Sequence, residues 1–223
     1  MIRAVLLDAL GTLVELRRPW PALVAELAAR GVAIDDAAAE AALRTEMAYY
    51  RAHCQAAGDR AALARLRADC TDVLRAALPE HARAVDDLQD ALLASLHFSP
   101  YPEVPDVLRV LRAAGRRLVV VSNWDVSLHD VLAQTGLREL LDGVVTSAEA
   151  GVSKPDPAIF AIGLEVAGAH AGEALHVGDD LEADVEGARA AGIAAVLVSR
   201  NGDGAPPGVT TVASLAGLDA LAT

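Results

Sequence analysis

The sequence predicts a doubly wound, mainly parallel α/β sheet with an all-helical block inserted after its first strand. Three observations carry this. Five short apolar runs recur along the 223 residues, the last four are separated by segments with helical spacing, and a long stretch between the first and second runs holds no strand-like segment. Alternation of strand and helix is the signature of a parallel sheet covered on both faces.

The predicted strands are Ile2–Leu7 (IRAVLL), Arg117–Ser122 (RLVVVS), Gly143–Ser147 (GVVTS), Ala174–Gly178 (ALHVG) and Ala194–Ser199 (AAVLVS). Before the second, Val107, Leu108 and Leu111 fall at helical spacing; before the fourth, Ile159, Phe160, Ile162 and Leu164 do the same. From about Arg17 to Ser99 the chain is dense in Ala, Leu, Arg and Glu, all strong helix formers. Gly31, Gly58 and Pro79 punctuate it into separate helices, and SPYPEVP (Ser99–Pro105) marks the return to the sheet. The expected division is an α/β core over 1–16 and 99–223 and a helical cap over 17–98. After Ser199, NGDGAPPG reads as a loop and TTVASLAGLDALA as a segment closing in a short helix.

Composition narrows the function. A formal charge of −12 argues against nucleic acid or an anionic membrane as the main partner. The first apolar run is broken by Asp8 and is too short for a signal segment or a membrane span, so a cytoplasmic protein, monomeric or homodimeric, is expected. With 53% hydrophobic residues but only 3% aromatic ones, the core must be aliphatic. Cys54 and Cys70, both in helical segments, read as reduced and partly buried rather than as a disulfide or metal pair.

In open α/β sheets, ligands bind beyond the carboxyl ends of the strands. Asp8 follows the first strand, Ser122 and Asn123 end the second, Lys154 lies beyond the third, and Asp179 and Asp180 follow the fourth. Singly, each has an ordinary structural explanation as a cap, a turn or a solvated charge. Together they fall on one edge of one sheet. Asp8, Asp179 and Asp184 brought together would repel: two unit charges about 4 Å apart cost about 4 kcal/mol at an effective dielectric near 20. A hard cation such as Mg²⁺ removes that cost, while a serine hydroxyl, backbone N–H groups and a lysine ammonium suit phosphate oxygens. A phosphoryl group satisfies metal, nucleophile and anion cradle at once.

These residues lie in four ordered motifs: DALGTL from Asp8, VVVSN ending at Asn123, SKPDPAIF with Lys154, and HVGDDLEADVEGARAAG with Asp179 and Asp184. In them the chain resembles the haloacid dehalogenase-like (HAD) superfamily, in the branch with a helical cap after the first strand. The resemblance implies that Asp8 is the nucleophile and becomes an aspartyl-phosphate. It further implies Mg²⁺ held by Asp8, the Leu10 backbone carbonyl and Asp179, with Asp180 and Asp184 supporting. Thr12, Ser122, Asn123 and Lys154 would contact a small phosphorylated metabolite, and the Asp8–Gly11–Thr12 turn would be the cap hinge.

Leu10 departs from the family pattern, in which phosphatases usually carry a second Asp as acid and base. Such help is typically worth about 10² to 10⁴ in rate. Three readings follow: a Mg²⁺-dependent phosphatase with another proton donor or a leaving group that needs none; a metal-independent haloacid dehalogenase, whose relatives also lack an acid there; or a HAD-like binding protein without turnover. The retained Asp179 and Asp180 oppose the second, and the retained Asp8 and Lys154 weigh against the third. Candidate substitute donors are Asp125, whose ordinary role is helix capping, His53 in the cap, and the substrate itself. In the cap, Glu46, Tyr49, Tyr50, Arg51 and His53 could face the site or form an ordinary packed helix, while Trp20 and Trp124 read as core or cap-interface residues.

Overall fold

The computed structural model describes residues 1–202 and 207–218. The chain runs β1 (Ala4–Leu7), β2 (Val14–Leu16), helices α1 (Pro19–Ala29), α2 (Asp36–His53), α3 (Arg60–Ala77) and α4 (Leu88–Ser95), then β3 (Phe98–Pro100). It continues with α5 (Val104–Ala113), β4 (Arg117–Ser122), α6 (Leu128–Gln134), β5 (Gly143–Thr146), α7 (Ser147–Ala150) and α8 (Pro157–Ala167). After these come β6 (Ala174–Gly178), a π-helical turn Leu181–Glu186, α9 (Gly187–Ala190), β7 (Ala194–Val198) and β8 (Thr210–Val212).

Six strands pair in parallel in the order β5-β4-β1-β6-β7-β8. Their side chains alternate between two buried faces. Val5, Leu7, Val120, Val177 and Val196 pack to one side and Leu6, Val119, Val121, Ala195 and Leu197 to the other. Burial on both faces is why these strands read as unbroken apolar runs rather than as alternating patterns.

The five expected strands are present, with β1 starting at Ala4 rather than Ile2. Two features went unseen in the sequence. Thr210–Val212 forms a sixth strand, too short and too polar for an apolar run. The expected closing helix falls mainly on residues 219–223, which lie outside those described. Secondly, β2 and β3 pair antiparallel, Val14 to Pro100, as a ribbon carrying the chain from sheet to helices and back. Pro100 is tolerated because a two-stranded ribbon is all edge.

Helices α1–α4 enclose a hydrophobic cluster of their own, including Leu23, Leu27, Leu43, Leu74 and Leu92. Asp35 and Asp59 cap α2 and α3 by accepting the amides of Ala38 and Ala62, both at 2.7 Å. Three contacts tie these helices to the sheet domain. The Tyr50 hydroxyl donates to Asp125 Oδ2 (2.8 Å), Arg60 Nη2 donates to Asp130 Oδ1 (2.8 Å), and the Val126 amide donates to the Ala57 carbonyl (3.1 Å). Among the described residues, no helix is long and apolar enough to cross a membrane.

Candidate active site

The carboxyl ends of β1, β4 and β6 converge on Asp8. Its side chain is buried, and Oδ1 accepts the Ser122 hydroxyl (3.0 Å) and the Lys154 ammonium (2.6 Å). Lys154 Nζ also donates to Asp184 Oδ1 (2.6 Å), which meets His176 Nε2 at 2.9 Å. Asp184 Oδ2 accepts the Asp180 amide (3.0 Å). Asp180 in turn caps the π-helical turn through the Ala183 amide (2.7 Å). Asn123 grips the Lys154 backbone from both sides: its Nδ2 donates to the carbonyl (2.9 Å) and its Oδ1 accepts the amide (2.8 Å). The lysine is thereby aimed from a loop that would otherwise place it in solvent.

Two glycines make the close approach possible. Gly11 has φ +85°, and a Cβ there would overlap the Asp179 carboxylate; a Cβ on Gly178 would overlap that of Asp184. We predict that Gly11→Ala displaces Asp179, through both the left-handed backbone and the clash. Mg²⁺ affinity, read by calorimetry, should fall at least about tenfold, while a retained cooperative melt shows that the sheet survives.

Oxygens of Asp8, Asp179 and Asp184 lie within 4.8 Å of one another. Asp8 and Asp184 are buried, whereas Asp179 stands exposed at the rim. Asp8 stays raised, because burial and Asp184 outweigh the pull of Lys154. Asp179 is pushed up to about 7 by desolvation and by the charges of Asp8 and Asp184. For Asp184, Lys154 and His176 overcome burial and hold the carboxyl well below the usual range. Lys154, despite burial, is pushed up to about 12 by Asp8 and Asp184, so it stays an ammonium. With all three ionised, three carboxylates against one ammonium would carry two uncompensated negative charges, the charge of one divalent cation. Asp184 is committed to Lys154, His176 and the Asp180 amide, leaving Asp8 and Asp179 as the carboxylates best placed for an ion. The donor set, all hard oxygen, fits Mg²⁺.

This has a pH consequence. Asp179 holds its proton in the metal-free fold up to about pH 7, whereas the unfolded chain loses it near 3.8. Stability from this group is therefore full below about pH 4 and is lost as pH rises through 7. A Mg²⁺ ion held here would bind the deprotonated carboxylate, so its affinity would climb with pH and level off above 7. The rise in melting temperature at fixed Mg²⁺ should be larger at pH 8 than at pH 5.5, with proton release on binding at the lower pH.

The other expected residues are placed as follows. Thr12 is fully buried, its Oγ1 without a hydrogen-bond partner, beneath the turn rather than in the cleft. Leu10 is 40% exposed and lines the cleft. Asp125 is engaged by Tyr50 and by the Ser127 amide (2.6 Å), so it is not a spare acid. His53 stacks on Tyr49, bonds the Tyr49 carbonyl (2.7 Å) and is absent from the cleft lining, so neither faces the site. Glu46, Tyr50 and Arg51 do line it. Trp124 packs in the core against Phe98 and Trp20 against the helical cluster, while Cys54 and Cys70 are free and buried.

Two contributors were missed. His176 stands in the middle of an apolar strand, a visible oddity in ALHVG. Arg200 follows β7 and reaches back across the molecule. It donates to the carbonyls of Gly11 (2.9 Å) and Thr12 (2.7 Å) and to Glu103 Oε1 (2.8 Å). Its guanidinium lies 3.4 Å from the Tyr101 ring centroid. Nothing local in the sequence signals this long-range contact.

Comparison with known proteins agrees with the geometry. A family model described as haloacid dehalogenase-like hydrolase matches residues 2–192. Haloacid dehalogenase-like hydrolase domain-containing protein 3 of Bos taurus is 46% identical over 92 residues, 41% of this chain and 37% of that protein. Glyceraldehyde 3-phosphate phosphatase of Methanopyrus kandleri is 38% identical over 120 residues, 53% of this chain and 51% of that protein. The matches thus span only about a third to a half of these curated relatives. The crystal structure of a HAD phosphatase from Thermococcus onnurineus aligns with TM-score 0.70 and 26% identity, covering 99% of this chain and 97% of that one. Solved 2-haloacid dehalogenases share the fold at 22–23% identity. The family match takes in the three strands that converge on Asp8 and all four motifs at the sheet's rim, so the chain belongs to the haloacid dehalogenase-like hydrolases.

Proposed function

We propose that this hydrolase is a Mg²⁺-dependent phosphatase of small phosphorylated compounds. The observation that carries the reading is the gathering of Asp8, Asp179 and Asp184 oxygens within 4.8 Å of one another beside a single ammonium. A carbon-attacking dehalogenase that works without metal would have no cation to offset the repulsion among these carboxylates. Phosphatases among the relatives support the same reading.

Asp8, Asp179 and the Leu10 carbonyl would hold Mg²⁺, which when bound offsets the carboxylates' charge and that of the phosphoryl oxygens. Lys154 and Ser122 both meet Asp8 Oδ1, fixing the carboxylate's rotation and placing an ammonium and a hydroxyl where phosphoryl oxygens would sit. An Asp8 oxygen attacks phosphorus, the bond to the leaving oxygen breaks, and water then cleaves the acyl phosphate to regenerate the carboxylate. Asp184, through its bond to Lys154, positions the ammonium rather than touching substrate, and His176 positions Asp184. The helical cap closes over these groups and excludes water.

The test is phosphate release from p-nitrophenyl phosphate and acetyl phosphate with Mg²⁺ and its loss in EDTA. The exposed apolar Leu10 favours a second reading, dehalogenation. Halide release from a 2-haloacid in EDTA, with no phosphate release in Mg²⁺, would replace the phosphatase reading with that one.

A further inference from the structure

Between the Asp8 rim and the helices lies a cavity of about 680 Å³, within the range that holds a whole small ligand. Its floor is Asp8, Ser122, Lys154 and Asp179, and much of its wall is apolar: Leu16 and Phe98 from the ribbon, Leu63, Leu66 and Leu92 from the helices, and Leu96 just past α4. Several polar side chains on its walls are already engaged. Asp125 accepts Tyr50, Asp130 accepts Arg60, and Glu46 is pushed toward its neutral form by burial, with Cys70 hydrogen-bonded to it. Arg51, Arg67 and Gln134 line other parts of it. A sugar or polyol placed here would bury hydroxyl groups against leucines, at about 1–3 kcal/mol for each one left unpaired.

Leu10 projects into the same cavity and can donate no proton. The position two residues past the nucleophile thus gives the departing oxygen no proton, which favours leaving groups that are stable as anions. A phenol, with a pKa of about 10 as in tyrosine, leaves as an anion far more readily than an alkanol, whose basicity approaches that of water at about 15.7.

Building on the phosphatase reading, we propose that the cavity is a site for aryl phosphates, an apolar ring system attached through an acidic oxygen, in preference to sugar or polyol phosphates. An Asp8 oxygen bonds to phosphorus while the P–O(aryl) bond breaks, and its electron pair leaves on the aryloxide. Water then attacks the acyl phosphate, giving dihydrogen phosphate and the Asp8 carboxylate. The aryloxide takes one proton from that phosphate, so no outside acid is consumed.

The test compares 1-naphthyl phosphate, cyclohexylmethyl phosphate, glucose 6-phosphate and glycerol 3-phosphate in Mg²⁺. In parallel, calorimetry compares naphthylmethylphosphonate with methylphosphonate, neither of which is hydrolysed. The expected result is kcat/KM for 1-naphthyl phosphate at least about a hundredfold above both polyol phosphates. Cyclohexylmethyl phosphate should bind well and turn over slowly, and naphthylmethylphosphonate should bind at least about tenfold tighter than methylphosphonate. Glucose 6-phosphate turned over as fast as 1-naphthyl phosphate, or equal affinity for the two phosphonates, would overturn the proposal. Absence of turnover with every ester, alongside the phosphonate preference, would overturn the phosphatase reading while upholding the apolar ligand class.

Discussion

Asp8→Asn should abolish phosphate release, with a fall of at least about 10⁴-fold, the scale seen when a covalent nucleophile is removed. The amide keeps the shape of the carboxyl and retains an oxygen to accept Ser122 and Lys154, which both meet Oδ1 in the native protein. It removes a buried charge that the fold disfavours, since burial and Asp184 raise the Asp8 carboxyl. The melting temperature should therefore change by only a few degrees while turnover disappears. Mg²⁺ affinity should fall as well, because one of two available carboxylates is gone. Phosphate release from acetyl phosphate, followed alongside a thermal melt, separates loss of chemistry from loss of fold. An Asp8→Asn variant retaining a tenth of wild-type turnover would remove Asp8 from the nucleophile's role.

Leu10→Asp should act in the opposite direction. It places a carboxyl in the cavity two residues from the nucleophile, on a turn whose backbone is unchanged. General acid–base assistance of this kind is worth about 10² to 10⁴, and the gain should be largest for alkyl esters, whose leaving oxygen needs a proton. For aryl esters and acyl phosphates the gain should be small. The relevant measurement is the slope of log kcat/KM against leaving-group pKa: steep in the native protein and flatter in the variant. An unchanged slope would mean that some other group already donates the proton. The substitution replaces a side chain 40% exposed, so the fold should bear it.

The sequence made the sheet legible because β1, β4, β6 and β7 are buried on both faces and stand out as continuous apolar runs. It hid β8, whose three residues are half-polar and pair along one edge only. The site was legible where chemistry-bearing residues end a strand or follow it directly: Asp8, Ser122 and Asp179. What remained hidden was direction. Asn123, grouped with substrate contacts, spends its amide on the Lys154 backbone. Asp125 and His53, considered as proton donors, are turned to Tyr50 and Tyr49. Helical spacing places residues on a face but does not say what that face meets. Glu46 and Tyr50 reach the cavity while Tyr49 and His53, from the same helix, do not.

One guanidinium, that of Arg200, grips both crossings between the two halves of the molecule: the outgoing strand at Gly11 and Thr12 and the returning one at Tyr101 and Glu103. Both roots of the helical insertion are thus held together by one side chain from beyond β7, which braces the turn that follows Asp8.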